Sequence, residues 1–145
     1  MKIEEILDEW KRDAEMDDSD LSTESLRIPR LKVKYNRYYI EEFKAKLEYE
    51  NIHKKLLTTK RHYYKNEITL EKLKELGWEG NNVKMSGVEA KAFAEADEDV
   101  LKLNKIIILA DEKCKLIKEI TAELHQRSFN IKNAIEFQKF QAGIG

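Results

Sequence analysis

The feature that most restricts this chain lies in its last third. Val100, Leu103, Ile107, Ala110, Cys114, Ile117, Thr121, Leu124, Ser128, Ile131 and Ile135 follow one another in alternating steps of three and four residues, eleven positions without a slip. A strand changes face at every residue, so no sheet holds this period. A helix of about ten turns places all eleven on one side. Ile106, Leu109, Leu116 and Ile120 flank the seam and make it wider than the stripe of a two-stranded coiled coil. A monomeric hairpin covers so wide a stripe with difficulty. Self-association through Val100, Leu103, Ile107, Cys114, Ile117, Leu124, Ile131 and Ile135 is therefore expected, with a compact four-helix bundle as the alternative.

A second long helix is expected upstream. Pro29 suits a first helical turn, where its missing N–H has no partner to lose, and a helix from there to Tyr64 would be roughly 54 Å long. Along it Leu31, Tyr35, Tyr38, Ala45, Tyr49, Ile52, Leu56 and Tyr63 keep heptad spacing, interrupted at Glu42 and Thr59. Ile40, Phe43 and Leu47 lie off that seam and predict a second buried stripe. A short amphipathic helix comes first, with Ile3, Ile6, Leu7, Trp10 and Ala14 inward, Glu4 and Glu5 at its positive end, and an end near Asp17-Asp18. Between the long helices, Asn66 to Gly87 holds three of the five glycines and Asn81-Asn82 around a helical stretch at Leu70 to Leu76, which reads as a chain reversal. Ser86, three residues before Glu89, is a capping pattern that opens the C-terminal helical region.

One Pro, five Gly, 38% charged and 41% hydrophobic residues are too few turn formers for a many-stranded sheet and too apolar a mixture for disorder. The expected fold is all-α: a long helical hairpin with coiled-coil-like seams. At 145 residues it forms one domain, with N-terminal helices over 1–65, a connection over 66–87 and oligomerisation helices over 88–145. The longest aliphatic run, Ile106 to Leu109, is far short of a membrane span, and the acidic N-terminus has no secretory pattern, which predicts a cytosolic protein. Cys114 has no second cysteine to pair with and falls on the apolar seam, so it reads as a core residue.

Catalytic patterns are missing. His53, His62 and His125 are scattered, and there is no phosphate-binding loop, HExxH or nucleophile elbow. The expectation is a protein that is not an enzyme and carries no metal or cofactor.

Charge is distributed more tellingly than its net value of −1 suggests. Residues 1–26 hold three Lys/Arg against ten Asp/Glu, and residues 27–65 hold twelve against four. The acidic N-terminal helix repels phosphate and reads as a protein-contact or shielding element. In the basic block, Lys54, Arg61 and Lys65 project opposite the Tyr49-Ile52-Leu56-Tyr63 seam at about 100° per residue, with Tyr64 about 60° from Arg61. Cations beside an aromatic ring suit single-stranded nucleic acid, whose phosphates meet Lys/Arg and whose bases stack on rings. A solvated Lys-rich face is the bland alternative, and a helical scaffold without nucleic-acid function is the competing class.

Several islands give the chain a resemblance. Lys2-Ile3-Glu4-Glu5-Ile6 with Glu9, Lys11-Arg12 and Asp13, the basic segment ending in Tyr63-Tyr64, Ala96-Asp97-Glu98-Asp99-Val100-Leu101-Lys102, Phe129-Asn130-Ile131-Lys132 and Phe140-Gln141-Ala142-Gly143 follow in an order and spacing that resemble the UvsY family of phage recombination mediators. Asn66 to Met85 is longer than that pattern. The resemblance implies that the helical hairpin assembles into a ring-shaped homo-oligomer, a hexamer or heptamer in the cytoplasm of an infected bacterium, that binds single-stranded DNA and contacts a RecA-like recombinase and the phage single-stranded-DNA-binding protein. Where the family has Lys-Ala-Arg before the Tyr pair, this chain reads Thr58-Thr59-Lys60-Arg61-His62, leaving the role to Lys60 or Arg61. The DNA site expected on the outward face is Lys54, Lys55, Lys60, Arg61, Tyr64 and Lys65.

Overall fold

A computed structural model describes residues 1–81 and 83–143; Asn82 of the expected turn lies outside them. Five helices follow in order: α1 (Ile3–Ala14), α2 (Leu21–Tyr64), α3 (Leu70–Leu76), α4 (Gly87–Glu95) and α5 (Glu98–Gln141). Among the described residues all regular structure is helical, as the periodicity requires.

The helix ends follow from local chemistry. Glu5 reaches back to the Lys2 N–H at 3.2 Å and closes the start of α1. α2 begins eight residues before the expected Pro29, because Asp20 is a better start signal: its carboxylate accepts the Thr23 N–H at 3.2 Å and the Thr23 hydroxyl at 2.8 Å. Pro29 therefore sits inside the helix. The carbonyl it leaves unpaired belongs to Ser25, which is exposed and open to water. At its far end α2 closes with Asn66 in the left-handed region (φ 59°), the Glu67 N–H reaching the His62 carbonyl at 3.0 Å. Ser86 caps α4 through the Glu89 N–H at 3.2 Å, and Asp97 caps α5 through the Asp99 N–H at 2.9 Å.

The residues pack as two compact units, Met1–Lys44 with Asp111–Gly145, and Ala45–Ala110. These groupings cut across the expected divisions at 65 and 88, since each unit draws on both long helices.

In the first unit, Ile6, Leu31, Tyr35, Ile117, Ile120 and Leu124 form the core, with Trp10, Tyr38, Tyr39 and Leu116 packed against it. α2 runs antiparallel to α5 here, and Glu42 pairs with Lys113 at 3.3 Å. Tyr35 is fully buried, stands edge-on to Trp10 and donates its hydroxyl to Asp13 at 2.8 Å. The acidic α1 is thus part of the core through Ile6 and Trp10, and its Asp13 and Glu9 are neutralised by Lys34 at 2.6 and 3.3 Å. Burial alone would raise the Asp13 carboxyl, but the hydrogen bonds from Lys34 and Tyr35 outweigh it and hold it below the usual carboxylate range. Arg127 of α5 closes the end of α1, donating to the Ala14 carbonyl at 2.9 Å.

The second unit has a smaller apolar core: Leu73, Ala90, Ala94, Val100 and Ala110. In it the buried face of α2 departs from the expected register, since Tyr49 and Ile52 are exposed and Lys60 is buried. The reason is geometric. A straight helix drifts about 20° per heptad against a 3.5-residue repeat, so a heptad seam extended from Leu31 is almost one residue out of register near Tyr63. The three buried charged side chains of the described residues, Glu24, Glu42 and Lys60, are each 18 residues apart, which is five turns of 3.6. Ile40, Phe43 and Leu47 form no second buried stripe; all three are exposed.

On α5 the expected seam faces the chain's own interior. Val100, Cys114, Ile117, Leu124 and Ile131 are buried, and Leu103, Ile107 and Ile135 are half-buried. Of the flank, Ile120 is buried and Leu116 half-buried, while Ile106 and Leu109 stay exposed.

Candidate nucleic-acid interface

The basic segment occupies the last three turns of α2, within the second unit. Lys54 and Lys55 are exposed, as expected for an outward face, and no carboxylate among the described residues pairs with either. Arg61 is half-buried, and its Nε is itself covered and has no hydrogen-bond partner among the described residues. Lys65 is 39% exposed along its side chain and pairs with Glu67 at 3.4 Å. A shallow groove of about 390 Å³ opens beside this segment, lined by Thr59, His62, Glu67, Ile68, Thr69 and Lys72.

Lys60 departs from the expected outward face. It is 5% exposed, and its ammonium lies 3.2 Å from Asp97 and 3.1 Å from Asp99. The same nitrogen sits 4.0 Å from the ring centre of Trp78 and 5.6 Å from that of Tyr63. The charge is therefore satisfied inside the protein. Tyr64 also turns partly inward: its hydroxyl donates to Asp97 at 2.7 Å, and its ring meets Tyr63 at 5.2 Å and Phe93 at 5.7 Å. Burial first, and then the carboxylate it donates to, push the Tyr64 phenol up to about 12. Burial would raise the Asp97 carboxyl, yet the hydrogen bonds from Tyr64 and Lys60 keep it below the usual range.

The connection holds this cluster shut. Gly77 ends α3 at φ 71°, a conformation open to glycine, and swings Trp78 over Lys60 and Tyr63. The Glu79 carbonyl accepts the Tyr63 hydroxyl at 2.8 Å, and the Asn81 amide donates to the carbonyls of Tyr63 and Tyr64 at 3.1 and 3.2 Å. The Tyr64 carbonyl at the end of the helix has no intrahelical donor and is served by Asn81, while the Tyr63 carbonyl, which already accepts the Asn66 N–H at 3.0 Å, gains a second donor from it. The roles of Asp97, Asp99 and Trp78 escaped the sequence reading; the signal that could have found Lys60 is its 18-residue spacing from Glu42.

The cluster joins two of the resembling islands, the basic segment with its Tyr pair and the stretch around Asp97 to Val100. A family model described as "Recombination, repair and ssDNA binding protein UvsY" matches residues 9–144. The chain belongs to the UvsY family. Its fold is that of bacteriophage T4 UvsY, a recombination mediator protein: crystal structures of that protein in lattice types IV and II superpose with TM-scores of 0.84 at 22% identity, covering 97 and 98% of this chain and 99 and 98% of theirs. No curated protein sequence matches the chain. Membership makes it a UvsY-like recombination mediator, and no helix among the described residues is long and apolar enough to cross a membrane.

Proposed function

We propose that this UvsY-family protein binds single-stranded DNA through Lys54, Lys55 and Arg61, with Lys65 at the margin, and promotes loading of a RecA-like recombinase onto DNA covered by single-stranded-DNA-binding protein. The observation that carries it is the contrast within eight residues: Lys60 is neutralised indoors, whereas Lys54 and Lys55 stand exposed and half-buried Arg61 lies beside them, none of the three joined to a carboxylate among the described residues. Phosphates supply the acceptors these groups lack. Of the two candidates for the family's cationic role, Arg61 fits as the contact and Lys60 as the residue that fixes the helix end on which the contact stands. Tyr64 contributes through its ring edge, with its hydroxyl committed to Asp97.

Weak contacts of this kind gain from repetition, and a ring of six or seven copies in phage-infected cells accords with it. The α5 seam supports such an assembly from within by rigidifying the helix, while Ile106, Ile108 and Leu109, each more than 40% exposed, offer apolar surface to a neighbour. The competing class is a scaffold without nucleic-acid function.

Titrating labelled oligonucleotide with the protein at several salt concentrations separates the two. A mediator binds with a log–log salt slope of about −0.7 per phosphate neutralised. The Lys54→Ala, Lys55→Ala, Arg61→Ala triple variant keeps its helicity and loses both affinity and slope. Wild-type affinity in that variant moves the site elsewhere, first to Lys132 and Lys139.

A further inference from the structure

The apolar residues left over by the core of the first unit are not scattered. On α2, Leu26, Val33 and Ile40 are spaced seven residues apart and are 76, 59 and 52% exposed. Seven residues are nearly two turns, so the three form a straight outward ridge of aliphatic side chains. Four residues beyond each stands a cation: Arg30, Arg37 and Lys44, all exposed and none joined to a carboxylate among the described residues. A shallow groove of about 440 Å³ runs along the ridge between Val33 and Lys44, with Glu41 its single acidic side chain.

We infer that this face of α2 is a docking site for an acidic amphipathic helix of a partner protein. Aliphatic anchors at heptad spacing recognise a helix by inserting between its apolar side chains, and a row of unpaired cations beside them selects carboxylates at the partner's flanking positions. Among the described residues, the exposed α5 aliphatics Ile106, Ile108 and Leu109 are bordered by Lys102 and Lys105 as well as Glu112, a mixed rather than an acidic rim. Two α2 ridges brought together would set cation against cation. The outward side of α1 offers carboxylates but only Leu7 as an exposed aliphatic in the helix. The exposed rings Phe129, Phe137 and Phe140 of α5 are aromatic rather than aliphatic and stand among Lys132 and Lys139 with Glu136 as the one acid between them. Single-stranded DNA would use the cations but leave the aliphatic ridge uncovered, since bases stack on rings. The inference rests on the mediator reading only for the existence of protein partners; it is independent of the DNA contacts at Lys54, Lys55 and Arg61.

The probe is a labelled synthetic three-heptad helix with Leu at the seam positions and Glu at the flanks, with a control in which Lys replaces Glu. Fluorescence anisotropy with the full-length protein should show saturable binding of the Glu peptide and none of the Lys peptide. Val33→Asp with Ile40→Asp should weaken binding by about tenfold or more, as expected for central anchors. Arg37→Glu with Lys44→Glu should abolish preference for the acidic peptide. Because all four positions are exposed, helicity is retained, and circular dichroism checks it. Equal peptide binding by wild type and variants overturns the inference. A smaller assembly in sedimentation for Val33→Asp with Ile40→Asp assigns the face to a second copy and also overturns it. Loss of oligonucleotide affinity in Arg37→Glu with Lys44→Glu makes it a DNA face instead, while failure at Lys54, Lys55 and Arg61 alone leaves the docking face standing.

Discussion

The two units use segments of the same two helices to different ends. In the first, α2 and α5 meet through large apolar groups, and Ile6, Tyr35, Ile117, Ile120 and Leu124 are fully covered. In the second, the fully covered residues are Ala90 and Ala94, and the one buried side chain that α2 contributes is Lys60. Apolar burial is non-directional and yields about 1.5 to 3 kcal/mol per large side chain. A buried charge cluster yields little net stability, because desolvation offsets attraction, but its geometry is directional. The first unit is therefore the anchor. The second unit orients the helix end that carries the exposed cations.

The comparison can be broken first in the anchor. Ile117→Asp should unfold the first unit, costing several kcal/mol for an unpaired charge in an apolar core, and Leu124→Ala should cost about 2 to 5 kcal/mol. Trp10 lies in that unit and Trp78 in the other, so variants retaining a single tryptophan report each unit separately during denaturation. An unchanged midpoint at Trp10 for Ile117→Asp would remove the distinction. Ile106→Asp, on the exposed side of α5, should leave both midpoints in place and reduce only the mass of the assembly.

Lys60→Ala comes next. It leaves Asp97, with 10% of its side chain exposed, without its cation, while Asp99 at 55% can turn to water. Breaking a fully buried pair costs about 3 to 5 kcal/mol, and the open side of this cluster places the loss near the lower end. The Trp78 transition should shift and the Trp10 transition should not. Adding Asp97→Asn should recover part of the loss, because the stranded carboxylate is gone. Full stability in Lys60→Ala would show that the cluster holds nothing.

Much of this contrast was legible in the residues, but unevenly. The α5 seam was readable because eleven consecutive positions obey one register, and the chain reversal because Gly77 and the connection's turn formers punctuate it. The start of α2 was misplaced because a proline is a conspicuous signal and Asp20, with Thr23 three residues on, a quiet one. Register on the distal half of α2 failed for a cumulative reason: a small angular error per heptad grows until Lys60 and Thr59 exchange faces. A lysine is also the residue least expected inside, so its burial became visible only with Asp97, Asp99 and Trp78 around it. Those partners come from the connection and from the start of α5, and no local pattern ties them to residue 60.

Acidification probes both units at once. Asp13 in the first and Asp97 in the second have folded pKa values below their ordinary value near 3.8. A depressed carboxyl contributes stability that is present above the unfolded pKa and is lost as pH falls through the folded one. Both transitions should therefore weaken below about pH 4. Asp97→Asn should reduce that dependence at Trp78, leaving only the exposed Glu67, which His62 and Lys65 also hold low, and should preserve it at Trp10. The alkaline side differs. The Tyr64 phenol, raised to about 12, contributes stability that is complete below its ordinary value near 10 and lost as pH rises through the folded one. Tyr64→Phe should flatten the Trp78 midpoint over that alkaline range.

The smallest effect lies at the edge of the candidate interface. Lys65 shares its charge with Glu67 at 3.4 Å, and Glu67 is further held by His62 at 2.7 Å. Lys54 has no such partner among the described residues. A cation already paired with a carboxylate releases fewer counterions when DNA arrives, because part of the phosphate's attraction is spent in displacing the acid. Lys54→Ala should thus flatten the log–log salt slope by about 0.7, the full value for one phosphate on a single strand. Lys65→Ala should change it by less, with oligonucleotide affinity barely altered at moderate salt. Glu67→Gln then supplies the sharper comparison: freeing Lys65 should steepen the slope toward that of one added phosphate contact, and the gain should vanish when Lys65→Ala is combined with it. Equal slopes for Lys54→Ala and Lys65→Ala would mean that the Glu67 pair does not compete with DNA, and the interface would then extend across the end of α2 to Lys65.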